Sequence, residues 1–540
     1  MIMKKIAASE NIENFYQKDY IYVDKTEYIF KLIENNERIF ISRPRRFGKS
    51  LTLNIIGTLF EKGVEPYFKD TWIYDKWDKE TYPVLHLNFL DYTTSDIELF
   101  KQSLCQQLRN FFGSIGINSY IDDKEPNNLI RNIFFAMPDG MQIVLLIDEY
   151  DCQLTANINN PELYEKFRLF IRELYAVLKG KKQIRFIAVT GVTRLKDVSI
   201  FSVGSDIIDI SYDHAYSKMI GFTRDEIKKF YLDYLRLGVS YEKHKDISEV
   251  TDSEIEEFLD RMAEQYNGFS FDEFNENTVF STYSVNRFLL SLSMKQKVVF
   301  GDYWYENGGV PTILKNYLET HELNAENLLS SEITVPYDDF ANPTTLLNIN
   351  ENVLMCQTGY LTLKSDINPS SYVITLGTAN DEVRRSVSRL VSLRFISQDF
   401  FLNPESRISF DTCSADELIS HLNKLLATVS YNKYPIKSES VLRTLLQFYF
   451  LGRALDVRVE SHNSKGRSDL FINFPKRRII IELKYASGER EEKNKLKEAE
   501  DQILENGYGL ENLGDRELIR IACVFNGADD KREIKVYSIV

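Results

Sequence analysis

Three consecutive residues near the start of the chain, Gly48, Lys49 and Ser50, have the types and the order that phosphate binding requires. A phosphate site needs backbone N–H groups that converge at the start of a helix, a lysine that reaches the outer phosphates and a hydroxyl group for magnesium. The usual phosphate-loop motif has its first glycine where this sequence has Arg43. Taken alone, Gly-Lys-Ser also opens ordinary helices by chance, so the tripeptide needs support from elsewhere in the sequence.

A second pair of candidates, Asp148 and Glu149, ends the apolar run 141–147. Such a run predicts a buried strand, and open α/β sheets bind ligands at the carboxyl ends of their strands. There Asp148 would hold Mg²⁺ together with Ser50, and Glu149 would orient or deprotonate an attacking water. A strand that ends in two acids is common, but its position downstream of the Gly-Lys-Ser sequence is the order expected of a P-loop ATPase with an additional strand.

A third group of polar residues, Thr190, Thr193 and Arg194, follows the predicted strand 184–189. Either threonine would be placed to sense the γ-phosphate, and Arg194 would stabilise the charge that develops on it. An ordinary turn at the end of a strand explains these three residues equally well.

Near the C-terminus, the alternation of residues in the run 479–485 puts Glu482 and Lys484 on one face of a strand. Asp469 lies in the preceding strand-like run, so pairing of the two strands would bring it beside Glu482. Two carboxylates with a backbone carbonyl suit Mg²⁺ or Mn²⁺, which would activate water beside a phosphodiester. Lys484 would position that water or stabilise the transition state. Exposed strands often alternate acid and base, so the pattern needs further support.

The elements that would position these residues begin with an α/β region, residues 1–220, in which helical patterns alternate with apolar runs. Runs that are apolar throughout predict a parallel sheet covered by helices. The predicted strands are Arg38–Ser42, Val84–Phe89, Ile143–Ile147 and Ile184–Val189, and the predicted helix after the phosphate loop is Leu51–Phe60. Residues 221–430 are mainly amphipathic helical patterns, which predict a helical lid and connector.

Residues 431–540 predict a separate C-terminal α/β domain. The predicted order is helix 439–451, strands 455–461, 468–474 and 478–485, helix 491–506, and strands 519–525 and 534–539. This order resembles the core of the PD-(D/E)XK, restriction-endonuclease-like fold, with Asp469 and Glu482–Lys484 at its signature positions. Glu439 and Gln502 would lie on the two helices, either at the active site or as solvated helix residues.

The composition excludes several classes of protein. A chain of 540 residues with 43% hydrophobic content is expected to form two or three domains. Its formal charge of −14 argues against coating of nucleic acid by bulk charge, so any polyanion site must be local. Five scattered cysteines and six histidines argue against a zinc site and favour a reducing, cytoplasmic setting. No apolar stretch reaches membrane-spanning length, so we expect a soluble protein without a membrane partner.

Motifs spread over nearly the entire chain resemble those of the bacterial AAA-ATPase-like proteins fused to a PD-(D/E)XK nuclease domain. The form Arg-Pro-Arg-Arg-Phe-Gly-Lys-Ser at 43–50 is specific to that group, so the absent first glycine is a feature of the group itself. The other matching motifs are Tyr22-Val23-Asp24-Lys25-Thr26, Leu146-Ile147-Asp148-Glu149-Tyr150-Asp151, Thr358-Gly359-Tyr360-Leu361-Thr362 and Glu482-Leu483-Lys484-Tyr485. One departure lies at 201–206, where relatives commonly have an asparagine pair.

The resemblance implies ATP and Mg²⁺ as ligands, with Mg²⁺ or Mn²⁺ at the nuclease centre. It assigns nucleotide binding to Arg45, Arg46, Phe47, Gly48, Lys49, Ser50, Leu51 and Asp148. It assigns metal binding to Ser50, Asp148, Asp469 and Glu482. The implied catalytic residues are Glu149, Asp469, Glu482 and Lys484. Asp24 and Lys25 are candidates for recognising the nucleotide.

Together these patterns predict an ATPase coupled to a metal-dependent nuclease that cleaves DNA or RNA, with nucleotide binding at Lys49 controlling the Asp469 centre. Two alternatives stay open: a nucleotide-switched module that grips nucleic acid or protein without cutting, and an ATPase with a structural C-terminal module. The sequence also leaves open the strandedness of the substrate and the oligomeric state. Defence against mobile elements and repair are both open as the biological setting.

Overall fold

A computed structural model describes most of the chain as two compact units that divide after Val383. The described residues are 3–6, 9, 11–118, 123–195, 206–306, 313–314, 333–396, 400, 408–429, 435–453, 456–462, 467–474, 476–510, 513–528 and 532–540. The fold is α/β, with an N-terminal parallel sheet, a helical middle and a C-terminal mixed sheet, as predicted. The domain boundaries expected at 220 and 430 stay predictions. Within the described ranges, no helix combines the length and the apolar character needed to cross a membrane.

The first unit is built on a five-stranded parallel sheet with the strand order β2-β3-β4-β1-β5. Its strands are β1 (Arg38–Ser42), β2 (Val84–Asn88), β3 (Ile143–Asp148), β4 (Ile184–Gly191) and β5 (Ile208–Asp209). Every residue of β3 is buried, as expected for a strand covered on both faces. Because β4 lies between β1 and β3, the segments that follow these three strands lie along one edge of the sheet. The four predicted strands are confirmed, and β4 is the additional strand.

The helices of the first unit connect these strands and build the middle region. They are α1 (Ile12–Gln17), α2 (Thr26–Asn35), α3 (Lys49–Lys62), α4 (Ile97–Ser114), α5 (Pro126–Ala136), α6 (Cys152–Ala156), α7 (Pro161–Leu178), α8 (Arg224–Phe230), α9 (Leu232–Lys243), α10 (Asp252–Tyr266), α11 (Thr282–Lys295), α12 (Tyr303–Glu306), α13 (Tyr337–Ala341) and α14 (Glu351–Gln357). Helix α15 (Asp381–Phe395) contains the division between the two units. Single 3-10 turns lie at Phe89–Asp91, His214–Tyr216, Ile247–Glu249, Leu346–Asn348 and Pro369–Ser371.

Helices α8 to α11 of the middle region pack around one apolar cluster, which also contains Ile21 and Val23 from the segment before α2. Capping boxes at Thr223 and Thr251 fix the starts of α8 and α10. The shared cluster therefore holds the N-terminal segment against the helical region. A small antiparallel sheet of β6 (Ile333–Pro336), β7 (Thr362–Leu363) and β8 (Val373–Gly377) was not predicted.

The second unit contains a mixed sheet with the order β13-β12-β11-β10-β9. Its strands are β9 (Asp456–His462), β10 (Arg467–Asn473), β11 (Arg477–Ala486), β12 (Glu517–Asn526) and β13 (Glu533–Ile539), and its helices include α16 (Ala415–Leu426), α17 (Glu439–Gly452) and α18 (Glu489–Asn506). Strands β11 and β12 are parallel and are joined through α18, whereas the other neighbours are antiparallel. The predicted order of helices and strands is confirmed.

Gly191, the last residue of β4, allows the segment after β3 to approach this strand. A Cβ atom at Gly191 would lie 2.5 Å from the Tyr150 ring and 2.8 Å from Asp151 Oδ1. We predict that Gly191→Ala lowers the free energy of unfolding of the first unit by about 1–3 kcal/mol, because the ring and the carboxylate must move. Gly113→Ala is the control, because its nearest atom lies at 3.4 Å. Equal denaturation midpoints for the two variants would contradict the prediction.

Candidate functional site

The segment between β1 and α3 has the backbone of an anion-binding turn. Arg46 has a φ of 70° and Gly48 a φ of 110°, both in the left-handed region. Gly48 directly precedes α3, whose first N–H groups have no partner within the helix and open towards this segment. A non-glycine residue at such a φ costs about 1–3 kcal/mol and persists only where its surroundings hold it in place.

Side chains of the helical region hold the segment in this shape. Phe47 is buried and packs edge-on against Phe269 and Phe271, with ring centroids at 4.9 and 5.3 Å. The Thr282 hydroxyl donates a 2.8 Å hydrogen bond to the Arg46 carbonyl. The left-handed residue is therefore fixed from outside the sheet domain.

Arg43 replaces the first glycine of the generic motif with a buried guanidinium. It is 1% exposed, donates to the carbonyl oxygens of Ser42 and Ser211, and lies 4.2 Å from the centre of the Phe271 ring. Its φ is not positive, so this position does not need a glycine. Burial lowers the pKa of Arg43 to about 10, which leaves it charged at neutral pH. Among the described residues, its Nε and Nη2 atoms have no hydrogen-bond partner.

Lys49 is buried beneath the segment between β1 and α3, and its ammonium group contacts oxygen atoms of the main chain and of Glu149. Its Nζ lies 3.1 Å from the Arg43 carbonyl, 3.4 Å from the Pro44 carbonyl and 3.4 Å from Glu149 Oε1. Only 4% of its side chain is exposed. The ammonium therefore occupies an oxygen-lined position that phosphate oxygens would share or replace.

The acids at the end of β3 and just after it accept hydrogen bonds from residues at the end of β4 and just after it. Asp148 Oδ1 accepts the Thr190 hydroxyl and the N–H of Glu149, the latter at 3.0 Å. Asp151 accepts both the N–H and the hydroxyl of Thr193, at 2.7 and 2.5 Å. Glu149 has a φ of 51°, a second strained position. Both threonines considered as γ-phosphate sensors thus donate to acids of the protein itself.

Two other candidates also have partners within the protein. Arg194 forms an ion pair with Asp209, so its guanidinium is engaged by a carboxylate of the protein itself. Asp24 accepts the N–H groups of Thr26 and Trp72, and it shapes the segment before α2. Residues 201–205, where the sequence departs from related proteins, lie outside the described residues.

Lys25 bridges the N-terminal segment and the helical region. Its Nζ donates to the Lys218 carbonyl at 2.7 Å and to Glu226 at 2.6 Å. It lies on the wall of a cleft of about 560 Å³ that passes over the phosphate loop. Residues of the loop and sheet on that wall are Arg46, Phe47, Gly48, Lys49, Ser50, Leu51 and Glu149, and apolar residues on it include Ile21, Val23, Met219, Ile220 and Phe222. Arg45 is exposed and Asp148 is buried, and neither is part of the wall.

In the second unit, strand pairing brings Asp469 next to Glu482, as predicted. The register aligns Leu470 with Ile481, so the two acids come opposite each other at the next position. The N–H of Leu483 donates to Asp469 Oδ2 at 2.9 Å, and the N–H of Asp469 approaches Glu482 Oε2 at 3.4 Å. Both acids are more than nine-tenths buried.

Lys484 places a cation beside Glu482 and the neighbouring main-chain carbonyl. Its Nζ lies 3.2 Å from Glu482 Oε1 and 3.1 Å from the Leu483 carbonyl. This carboxylate and carbonyl are the hard oxygen ligands that Mg²⁺ and Mn²⁺ prefer. A divalent cation at Glu482 and the Leu483 carbonyl would therefore share these oxygens with the ammonium group of Lys484 or displace it.

Two side chains of α17 complete this cluster. Glu439 lies 3.6 Å from Lys484 Nζ, and Arg443, one turn later, donates to Asp469 Oδ1 at 2.9 Å. Sequence reasoning included Glu439 but missed Arg443, although the spacing of four residues puts both on one helix face. Gln502 on α18 is not connected to the cluster by a described contact. Its Oε1 is buried and has no hydrogen-bond partner among the described residues.

Burial and neighbouring charge shift the proton affinities of the cluster. Burial, and then the charge of Asp469, raises the pKa of Glu482 to about 7 against the opposing effect of Lys484. Burial likewise raises the pKa of Glu439. Burial alone would lower the pKa of Lys484, but the neighbouring carboxylates outweigh it and raise that pKa. Lys484 is therefore charged at neutral pH, whereas Glu482 titrates near it.

Two family models match the chain, one at each end. The family described as predicted AAA-ATPase matches residues 7–201, and the PD-(D/E)XK nuclease superfamily matches residues 437–535. The chain is a fusion of an AAA-ATPase-like domain and a PD-(D/E)XK nuclease superfamily domain. The family expected from the motifs is confirmed. These two kinds of domain imply the use of a nucleotide and of a divalent metal in general.

A curated relative and a solved structure also resemble this AAA-ATPase-like/PD-(D/E)XK fusion. An uncharacterized protein in the vnfD 5' region of Azotobacter chroococcum mcd 1 is 28% identical over 481 residues, which is 86% of each chain. The Walker-type ATPase paby2304 of Pyrococcus abyssi is 11% identical, with a TM-score of 0.34 over 72% of this chain and 99% of its own.

The buried position of Arg43 in the AAA-ATPase-like domain predicts that a glycine at this position is harmful. The generic phosphate-loop motif, which has a glycine there, would predict the opposite. Arg43→Gly restores the usual first glycine, yet we predict that it lowers the free energy of unfolding by about 2–3 kcal/mol and weakens nucleotide binding, because the loop loses its anchor. Denaturation midpoints and titration with a fluorescent ATP analogue measure the two effects. Unchanged stability with tighter nucleotide binding would contradict the prediction.

The raised pKa of Glu482 in the PD-(D/E)XK domain predicts pH-dependent metal binding. A carboxyl must lose its proton to bind a metal, so lowering the pH from 8 to 6 protonates Glu482 and should weaken Mn²⁺ binding by about tenfold. Calorimetric titration without nucleotide measures this change. Glu482→Gln should bind Mn²⁺ weakly at both pH values. Equal affinity of the unmodified protein at pH 6 and pH 8 would show that Glu482 is not a ligand.

Proposed function

We propose that the protein is an ATP-regulated, metal-dependent nuclease. It binds and hydrolyses ATP at the loop containing Lys49 and cleaves phosphodiester bonds of DNA or RNA at the Asp469 centre. The observation that carries the proposal is the convergence of Asp469, Glu482, the Leu483 carbonyl and Lys484 on two adjacent strands of one sheet. The five cysteines are all free and buried, which supports a reducing, cytoplasmic setting.

The ATPase half of the proposal assigns a role to each residue of the first cluster. Lys49 and the N–H groups at the start of α3 bind the phosphates, and Ser50 and Asp148 hold Mg²⁺. Glu149, on the wall of the same cleft, orients the attacking water. The apolar part of the wall, from Ile21 to Val23 and from Met219 to Phe222, accommodates the base. Thr190 supports this arrangement through its hydrogen bond to Asp148.

The nuclease half depends on the second cluster. Asp469 and Glu482 hold Mg²⁺ or Mn²⁺, which supplies an activated water and charge stabilisation beside the scissile phosphate when it is bound. Lys484, kept charged by its neighbouring carboxylates, orients that water or stabilises the developing negative charge. Burial of both acids excludes bulk water from the reacting groups.

Metal-dependent cleavage is the first expected outcome. Full-length protein incubated with labelled single- and double-stranded DNA and RNA in Mg²⁺ or Mn²⁺ should give products. Asp469→Ala should reduce their rate by more than about a hundredfold, because the metal loses a ligand. Glu505→Ala, which removes an exposed carboxylate from the same domain, is the control. Absence of products on every substrate, or products unaffected by Asp469→Ala, would refute a nuclease.

Dependence of cleavage on ATP is the second expected outcome. Lys49→Ala should abolish both nucleotide binding and the response of the cleavage rate to ATP, because it removes the phosphate-binding cation. Lys69→Ala, at an exposed position, should retain both. A cleavage rate that is the same with and without ATP would show that the nucleotide does not regulate the nuclease. Metal-dependent binding of nucleic acid that yields no product and survives Glu482→Ala would instead indicate a binding module.

A further inference from the structure

Arg443 occupies a position at the nuclease centre that the motif-based assignment leaves without a role. It lies on α17 one turn after Glu439, and its Nη1 atom donates to Asp469 Oδ1 at 2.9 Å. Its side chain is 20% exposed, whereas that of Asp469 is 8% exposed. The side chain of Arg443 is therefore more accessible than the acid that it contacts.

The hydrogen bonds of Asp469 show which oxygen a metal would use. Oδ2 accepts the N–H of Leu483, a main-chain donor that strand pairing fixes, whereas Oδ1 accepts the side chain of Arg443, which can move. Oδ1 is therefore the oxygen that Asp469 would offer to a divalent cation. Arg443 donates its hydrogen bond to that same oxygen. Two cations on one carboxylate oxygen repel each other, so a metal at Asp469 weakens the pair with Arg443.

The charges of the cluster change sign when a divalent cation binds. The carboxylates of Asp469, Glu482 and Glu439 are in ion-pair contact with the cations of Lys484 and Arg443, which leaves these five groups one charge negative when all are ionised. A divalent cation makes the same set one charge positive. A phosphodiester carries one negative charge, and a guanidinium matches its two non-bridging oxygens.

We propose that Arg443 is a substrate-binding residue of the nuclease centre, which a divalent cation releases from Asp469 to bind a non-bridging oxygen of the phosphodiester. The inference rests on the proposed nuclease function and deepens it. Without metal, Arg443 neutralises Asp469 and the centre holds no phosphodiester. With metal, the same residue contributes to substrate affinity, so metal and nucleic acid bind cooperatively.

The test measures binding, separately from turnover. Full-length protein is titrated with fluorescent DNA and RNA oligonucleotides of one sequence, in EDTA and in Ca²⁺, and with Mn²⁺ alone by calorimetry. We expect Arg443→Ala to weaken oligonucleotide binding about tenfold in Ca²⁺ and to leave binding in EDTA unchanged. Its Mn²⁺ affinity should be equal or higher, because a competing cation has been removed. DNA and RNA results together identify which nucleic acid the centre accepts.

Arg453→Ala is the matched control, because Arg453 is an exposed residue at the end of the same helix, about 15 Å further along it. It should change none of the three affinities. If Arg443→Ala does not fold, Arg443→Lys decides the question. A lysine keeps the charge but lacks the fork that binds two oxygens, so oligonucleotide affinity in Ca²⁺ should fall while Mn²⁺ affinity is kept.

Two results would overturn the inference. Loss of Mn²⁺ affinity in the Arg443 variants would show that Arg443 positions Asp469 for the metal and does not bind the substrate. Unchanged oligonucleotide affinity in Ca²⁺ with normal Mn²⁺ binding would exclude contact with the phosphodiester. Failure of the proposed function is distinguishable, because the unmodified protein itself would then show no divalent-dependent oligonucleotide binding.

Discussion

A buried ammonium group held by oxygen atoms is the interaction on which both candidate centres depend. Lys49 and Lys484 are each 4% exposed, and each lies between a backbone carbonyl and a carboxylate. A buried charge destabilises a protein strongly unless paired and hydrogen-bonded groups surround it. Each unit accordingly surrounds its buried lysine with a main-chain carbonyl and a carboxylate. Under the proposed function, a phosphate would bind beside Lys49 in one unit and a divalent metal beside Lys484 in the other.

The two units meet this requirement with different sheets. In the first, β4 separates β1 from β3. Thr190 in β4 and Thr193 just after it donate hydrogen bonds to Asp148, the last residue of β3, and to Asp151. The phosphate loop is then fixed from the helical side by Phe47 in its aromatic pocket. In the second unit, antiparallel pairing of β10 and β11 alone places Asp469 beside Glu482. The ATPase-like site thus depends on contacts between distant parts of the chain, whereas the core of the nuclease site follows from one hairpin.

That difference explains how much the sequence could predict. The strands, their order in the C-terminal domain and the adjacency of Asp469 and Glu482 follow from residue alternation and from pairing of consecutive strands, which are local properties. The burial of Arg43 could not be predicted, because Ser211 and Phe271 contact it from far along the chain. The pairing of Arg443 with Asp469 likewise depends on how α17 packs on the sheet. Thr190 was considered as a γ-phosphate sensor or as part of an ordinary turn, and its hydrogen bond to Asp148 becomes evident only once β3 and β4 are adjacent.

The central claim is that the chain carries two separate oxygen-lined sites for divalent cations, one in each unit. Anomalous diffraction at the manganese edge, from crystals of the full chain grown with Mn²⁺ and a non-hydrolysable ATP analogue, tests it most directly. The account predicts one peak against Ser50 and Asp148 and a second against Asp469 and Glu482. A peak at the first position with none at the second would contradict the account, because the first site shows that Mn²⁺ reached the protein.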